Sequence, residues 1–192
     1  MVRLILVLTI FCLVAAAALA RVYDITKGPI AEQERLKTIS GLKAVLPAFN
    51  NDLDKEATEV VVGQDKKGRD IKIKFYEGKM DENPVGTAFQ VIAPDGYAGN
   101  ISILMGVGPD GKVSGIEIIS HKETPGLGNK IQKDEWKGQF KGRSLDDGPK
   151  LAVKKDGGEI DQFSGATISP RAVVNAVKKG LEIYKKESGN GG

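Results

Sequence analysis

Cysteine, histidine and tryptophan are nearly absent from this 192-residue chain: Cys12, His121 and Trp136 are each the sole residue of their type. One cysteine excludes an intramolecular disulfide and any cysteine-ligated metal or iron–sulfur centre, and one histidine excludes multi-histidine zinc or haem sites. Charge of one sign is also lacking. The chain has 28 Lys+Arg against 25 Asp+Glu, and with Arg3 and Arg21 at the N-terminus set aside the remainder is close to neutral. That is not the footprint of a nucleic-acid binder. Nor is there a nicotinamide fingerprint, because Gly106-Val107-Gly108 lacks the third glycine and the helix that should follow. The 24 glycines follow no three-residue period, which excludes a fibrous chain, and 41% hydrophobic residues exclude a disordered one. Any redox chemistry must therefore come from a bound cofactor.

One long hydrophobic run is present. From Leu4 to Ala20 the chain is apolar apart from Thr9, at the lower limit of about 17 residues for crossing a bilayer. Val22 and Tyr23 can extend it as an interfacial flank. Residues 1–23 are read as a single-pass transmembrane anchor. The competing reading is a cleaved signal peptide, since Ala18-Leu19-Ala20 has the small-x-small form of a cleavage site. A lipoprotein fits poorly, because bulky Phe11 precedes Cys12 and the apolar run continues past it. Both surviving readings export the rest, so the chain is expected in the cell (inner) membrane with its C-terminal domain on the extracytoplasmic side.

Residues 24–47 read as a helical connection. After Thr26-Lys27-Gly28-Pro29, residues Leu36, Ile39, Leu42, Val45 and Leu46 recur at helical spacing until Pro47 stops them. Residues 48–188 read as the folded domain and 189–192 as a frayed tail. Strands are expected at Ile71–Phe75, which alternates strictly, at Ala88–Ile92, and at Ile101–Val107 and Val113–Ile119. The last two are joined through Pro109-Asp110-Gly111, a strong hairpin turn. Loop and short helix fill His121–Lys150, with Trp136 read as core, and a last strand is expected near Leu151-Ala152-Val153. The closing helix is expected from Pro170 to Lys186, with Ser169 as N-cap, Pro170 in its first turn and Val173, Val177, Leu181 and Tyr184 as its buried stripe. Antiparallel sheets with flanking helices make the fold class α+β rather than doubly wound.

The chemistry concentrates in the loop before that helix, Asp161-Gln162-Phe163-Ser164-Gly165-Ala166-Thr167. Ser164, Gly165 and Ala166 are small, so backbone N–H groups can approach a ligand closely, and a helix N-terminus favours an anion. A phosphate fits there, beside the Thr167 hydroxyl. The alternative is a loop whose Ser164, Thr167 and Ser169 do no more than cap the helix and satisfy a turn.

The pattern of Asp161, Ser164, Gly165, Ala166 and Thr167 resembles the flavinylation motif of the FMN-binding domain found in the G subunit of Rnf complexes and the C subunit of sodium-pumping NADH:quinone reductases. A second segment, His121-Lys122-Glu123-Thr124-Pro125-Gly126-Leu127-Gly128, also resembles the Rnf G subunits, with Trp136 and Phe140 following as they do there. The resemblance implies FMN attached covalently through a phosphoester on Thr167, installed by a dedicated flavin transferase. It implies Ser164, Gly165, Ala166, Glu123, Thr124 and Leu127 as cofactor-binding residues and Asp161 as a recognition element of the attachment motif. No metal site and no catalytic residue of the chain's own are expected. The implied function is that of an electron-transfer subunit of a membrane-bound, ion-translocating ferredoxin:NAD⁺ oxidoreductase, partnered by the other subunits of a membrane redox complex. The alternatives are the corresponding subunit of the sodium-translocating quinone reductase and a non-redox anchored binding or scaffold domain.

Overall fold

The structure, a computed structural model, describes residues 2–53, 55–64 and 68–189. Helix α1 spans Val2–Val45, and the chain divides into two compact units, Met1–Lys37 and Thr38–Gly192. The first unit is helix throughout its described residues, and its apolar side chains are exposed. It includes a window of mean hydropathy 2.7 on a helix long and apolar enough to cross a membrane. Gly28-Pro29 does not interrupt it. Proline forfeits one helical hydrogen bond, and on an exposed helix the freed carbonyl is open to other partners. Helix α1 ends two residues before Pro47, in keeping with the lower preference for the helical conformation at the residue preceding a proline.

The second unit is built on one antiparallel sheet of five strands in sequential order: β1 (Thr58–Gln64), β2 (Asp70–Met80), β3 (Asn83–Ala93), β4 (Ile101–Val107) and β5 (Val113–Ser120). The expected β4–β5 hairpin is present, closed by Gly108 N–H to Lys112 C=O at 2.8 Å and Lys112 N–H to the Asp110 carboxylate at 3.2 Å. The valine patch Val60–Val62, not among the expected strands, lies in the edge strand β1. Strand β2 runs on to Met80, five residues past its alternating part.

Period-2 alternation gives the sheet two faces. One buries Phe89, Val91, Ile103, Met105, Ile116 and Ile118 against α3 (Ile168–Gly189) and the irregular segment from His121 to Ile160. On the other, Ala88, Leu104 and Ile119 meet Leu42, Val45 and Leu46, so the apolar stripe that ends α1 is core of this unit. Gly106 and Gly115, paired across β4 and β5, make that contact possible. A Cβ on Gly106 would collide with the Val45 carbonyl oxygen, which also accepts the Ser114 hydroxyl at 2.5 Å.

Two expectations are corrected. Leu151–Val153 is not a strand: short 3-10 turns at Leu145–Lys150 and Lys154–Asp156 flank it, and a single parallel bridge joins Val153 to Ile160. Burial of Leu151, Val153 and Ile160 holds the segment without a ladder. Helix α3 begins at Ile168 and extends to Gly189, so Ser169 is inside its first turn rather than capping it. Of the expected frayed tail, Gly189 ends that helix and residues 190–192 lie outside the described residues.

Phe89 is fully buried and stacks on Phe75 at 4.7 Å and Tyr184 at 6.5 Å, joining β2, β3 and α3. Phe89→Ala should lower the unfolding free energy by about 3–5 kcal/mol. The check is a fall in the urea midpoint at unchanged slope.

Candidate functional site

Trp136, in α2 (Asp134–Lys137), fixes the motif loop. Its indole N–H donates to the Asp161 carbonyl at 2.7 Å, and its ring meets Phe140 at 5.2 Å and Phe163 at 5.6 Å. At 3% exposure it is core and not a cofactor platform. The Asp161 N–H donates to the Gln139 side-chain oxygen at 2.9 Å, which leaves the Asp161 carboxylate turned outward to Lys154 Nζ at 2.6 Å. Past Phe163 the chain turns tightly. Ala166 N–H donates back to the Phe163 carbonyl at 3.0 Å, and Gly165 takes φ +75°, a left-handed conformation that favours glycine. Thr167 then leads into α3, where Arg171 N–H donates to the Thr167 carbonyl at 3.1 Å. The N–H groups of Ile168 and Ser169 precede that bond and are free of helical partners.

The second motif arrives from the end of β5. His121 Nδ1 accepts the Glu123 N–H at 3.0 Å, which turns the Glu123 side chain inward to 4% exposure. There Glu123 Oε1 accepts the Ala98 N–H at 3.1 Å from the β3–β4 loop, and Oε2 accepts the Ser169 hydroxyl. Gly128 is required beside this carboxylate: a Cβ on it would lie 2.6 Å from Glu123 Oε2 and 2.7 Å from Ser169 Oγ. Thr124, Gly126 and Leu127 form an exposed turn closed by Leu127 N–H to the Thr124 carbonyl at 3.2 Å.

Together these loops enclose a pocket of about 290 Å³. Of the residues expected at the site, Gly165, Ala166, Thr167, Glu123, Thr124 and Leu127 line it, although more than forty residues separate Glu123 from Gly165. Ser164 stands exposed at the turn and Asp161 faces away, so neither lines it. Tyr97, Gly128, Ile168 and Ser169 join the lining without a sequence signal for that role. Tyr97 has no informative spacing and is brought in by the Ala98–Glu123 bond, while the local signal of Ser169 points to capping. Tyr97 (70% exposed), Leu127 (42%) and Ile168 (46%) give the pocket an apolar rim. The Thr167 side chain is half-buried and reachable, whereas Ser169 is engaged by Glu123.

An ion pair steadies the start of α3. Arg171 grips Asp156 in two bonds, Nε to Oδ2 at 2.6 Å and Nη2 to Oδ1 at 2.7 Å. Hydrogen bonding from Arg171 is the main cause that holds the Asp156 carboxyl below its ordinary value of 3.8. A carboxyl lowered in the folded state stabilises the fold above its unfolded value, and the contribution disappears as pH falls through the lowered one. Arg171→Gln should therefore unfold earlier than wild type at about pH 6, with the difference shrinking as pH falls below the ordinary carboxylate range. Thermal melts across that range decide it.

Residues 96–182 match the FMN-binding domain family model, and residues 1–45 match the RnfG N-terminal region. NqrC of Shewanella oneidensis has the same fold, with a TM-score of 0.51, 24% sequence identity and 69% of each chain covered. The chain is thus an α+β FMN-binding-domain protein carrying an N-terminal helix with the length and apolarity of a membrane span. Among curated proteins, the G subunit of the ion-translocating oxidoreductase complex of Aliivibrio fischeri is 40% identical over 94% of this chain and 88% of its own length. The corresponding G subunit of Shewanella amazonensis is 41% identical over 92% and 84%, and that of Vibrio cholerae 38% over 94% and 88%. The chain belongs to the family of G subunits of the ion-translocating oxidoreductase complex.

Proposed function

We propose that this chain is the electron-transferring G subunit of a membrane-bound, ion-translocating ferredoxin:NAD⁺ oxidoreductase, binding FMN in the pocket at the start of α3 through a phosphoester on Thr167. The observation that carries this reading is the convergence of the two motifs on one pocket, with a reachable threonine hydroxyl beside the free N–H groups of α3. The residues fit the group. Small Gly165 and Ala166 leave the backbone open to a phosphate, the helix N-terminus supplies donors, and Tyr97, Leu127 and Ile168 offer apolar surface to a flat ring. FMN, when bound, accepts and releases electrons singly or in pairs.

This chain's residues retain and orient the flavin. At about 290 Å³ the pocket is no larger than the smallest ligand clefts, which start at about 300 Å³. A shallow site holds a cofactor weakly, and a covalent bond through Thr167 supplies the retention the walls do not. Glu123 ties the Ala98 loop, the Gly128 turn and the first turn of α3 together around it. An esterified phosphate leaves the ring unmodified, so the residues along the rim set its environment. Asp161, pointing outward next to Lys154, is available to a flavin transferase.

The test is intact mass and peptide mapping of protein from the native host, or from cells coexpressing the transferase. An adduct of FMN minus water on the peptide containing Thr167 establishes the carrier. An unmodified Thr167 after active transferase and correct export leaves the anchored binding domain as the reading. The domain is placed outside the cytoplasm in this proposal. Cysteine introduced at exposed Lys141 should accordingly react with an impermeant maleimide in spheroplasts, against a background of the single native Cys12.

A further inference from the structure

Among the described residues that line the pocket, Glu123 alone bears a charge. Its carboxylate is buried, at 4% exposure, and makes no ion pair among the described residues. His121, two residues before it, is engaged with the Glu123 backbone, accepting its N–H through Nδ1. Neutral donors hold the carboxylate instead: Ala98 N–H at Oε1, the Ser169 hydroxyl at Oε2, and beside them the positive end of α3. Backbone borders each oxygen closely, since a Cβ would lie 2.8 Å from Oε1 at Gly96 and 2.6 Å from Oε2 at Gly128. Tying two loops to α3 explains a hydrogen-bonding group at this position but not a charge. An amide of the same shape accepts from Ala98 and donates to Ser169 Oγ, whereas a buried carboxylate without a cation carries the larger desolvation cost.

We propose that the Glu123 charge sets the electron affinity of the flavin and holds its reduction potential low. The inference rests on the reading that FMN occupies this pocket. Each electron that a redox partner delivers to the pocket adds one negative charge there, unless one proton arrives with it, and a fixed negative charge on the wall opposes that addition. The chain itself is neither oxidised nor reduced, and none of its bonds breaks. A pocket of about 290 Å³ is on the order of 8 Å across, and over that distance in a protein interior a unit charge changes an equilibrium by more than about tenfold. Because the carboxylate is buried, salt screens it little. A tether through the phosphate leaves the ring itself unaltered, so a charge on the pocket wall is one of the few means the chain has of setting the potential.

Redox titration of the full chain in detergent, carrying the adduct and followed by flavin absorbance with dithionite as the electron donor, tests it. Glu123→Gln should raise the midpoint potential by at least about a tenfold change in the reduction equilibrium, which is about 59 mV for one electron or about 30 mV for two. The rise should persist at high salt. Glu123→Asp, which keeps the charge and disturbs the hydrogen bonds, should stay closer to wild type than to Glu123→Gln. In the wild type, the reduced-minus-oxidised infrared spectrum should contain a carboxylate band that moves with ¹³C-glutamate labelling, a readout that does not depend on any variant taking up flavin. An unchanged potential in loaded Glu123→Gln overturns the proposal, whatever happens to adduct yield, and so does a missing carboxylate band. An equal rise in Glu123→Asp also overturns it, by assigning the effect to loop geometry. If wild-type protein matured with active transferase carries no flavin, the FMN reading fails first and this inference fails with it.

Discussion

Thr167→Ala is expected to give a folded but colourless protein with no FMN adduct, a complete loss rather than a reduction. The hydroxyl removed is half-exposed and anchors nothing else: the backbone bond at this position uses the Thr167 carbonyl, which alanine keeps. Stability should therefore stay within about 0.5 kcal/mol of wild type. Neither neighbouring hydroxyl should substitute. Ser164 stands outside the pocket, and Ser169 is buried with its proton committed to Glu123. Thr167→Ser, which keeps a hydroxyl at the same place, should retain the adduct. An adduct persisting in Thr167→Ala on either serine would overturn the assignment of the attachment point.

Glu123→Ala is the second large effect, and it acts on the shape of the pocket. Truncation removes the acceptor of both the Ala98 N–H and the Ser169 hydroxyl at a position 4% exposed. The buried Ser169 hydroxyl left without its partner costs about 1–3 kcal/mol, whereas the N–H of exposed Ala98 can turn to water, so stability should fall by about 1–3 kcal/mol. The Ala98 loop then loses its tie to α3, Tyr97 leaves the rim, and adduct yield at equal protein and equal transferase should fall well below wild type. Glu123→Gln separates this role from bulk stability. Its amide oxygen can accept from Ala98 and its amide nitrogen can donate to Ser169 Oγ, so both stability and adduct should largely return. If Glu123→Gln behaves like Glu123→Ala, positioning by hydrogen bonds is not what Glu123 does.

Much of this site is legible in the residues. The small residues before a marked helix start lie on one wall of the pocket, and the segment from Glu123 to Gly128, singled out by its resemblance, supplies the opposite wall. Tyr97 cannot be found that way, because it reaches the pocket through a contact between loops distant in sequence and carries no periodic signal. Ser169 misleads for a related reason: a serine beside Pro170 suits an N-cap by local rules, yet a buried carboxylate from another element claims its hydroxyl. The same limit applies to the fold. Alternation and turn chemistry reveal four of the strands, whereas β1, with its bulge between Val61 and Gly63 and its half-buried pattern, has no clean period to detect. Near Leu151–Val153 the signal errs the other way, since the apolar residues that suggest a strand are core contacts of an irregular segment.

The seating of Leu42, Val45 and Leu46 against the sheet restricts how the parts of such a protein can be exchanged. Were the anchor and the flavin domain interchangeable modules, the natural splice would fall at Pro47, where the helix has ended. A splice there would carry half of one hydrophobic layer away with the anchor and leave Ala88, Leu104 and Ile119 bare. Gly106 and Gly115 would then border an empty groove cut to the outline of a missing helix end. A splice that keeps this layer whole would have to break the chain before Leu42, inside α1, and not at the proline that follows the helix.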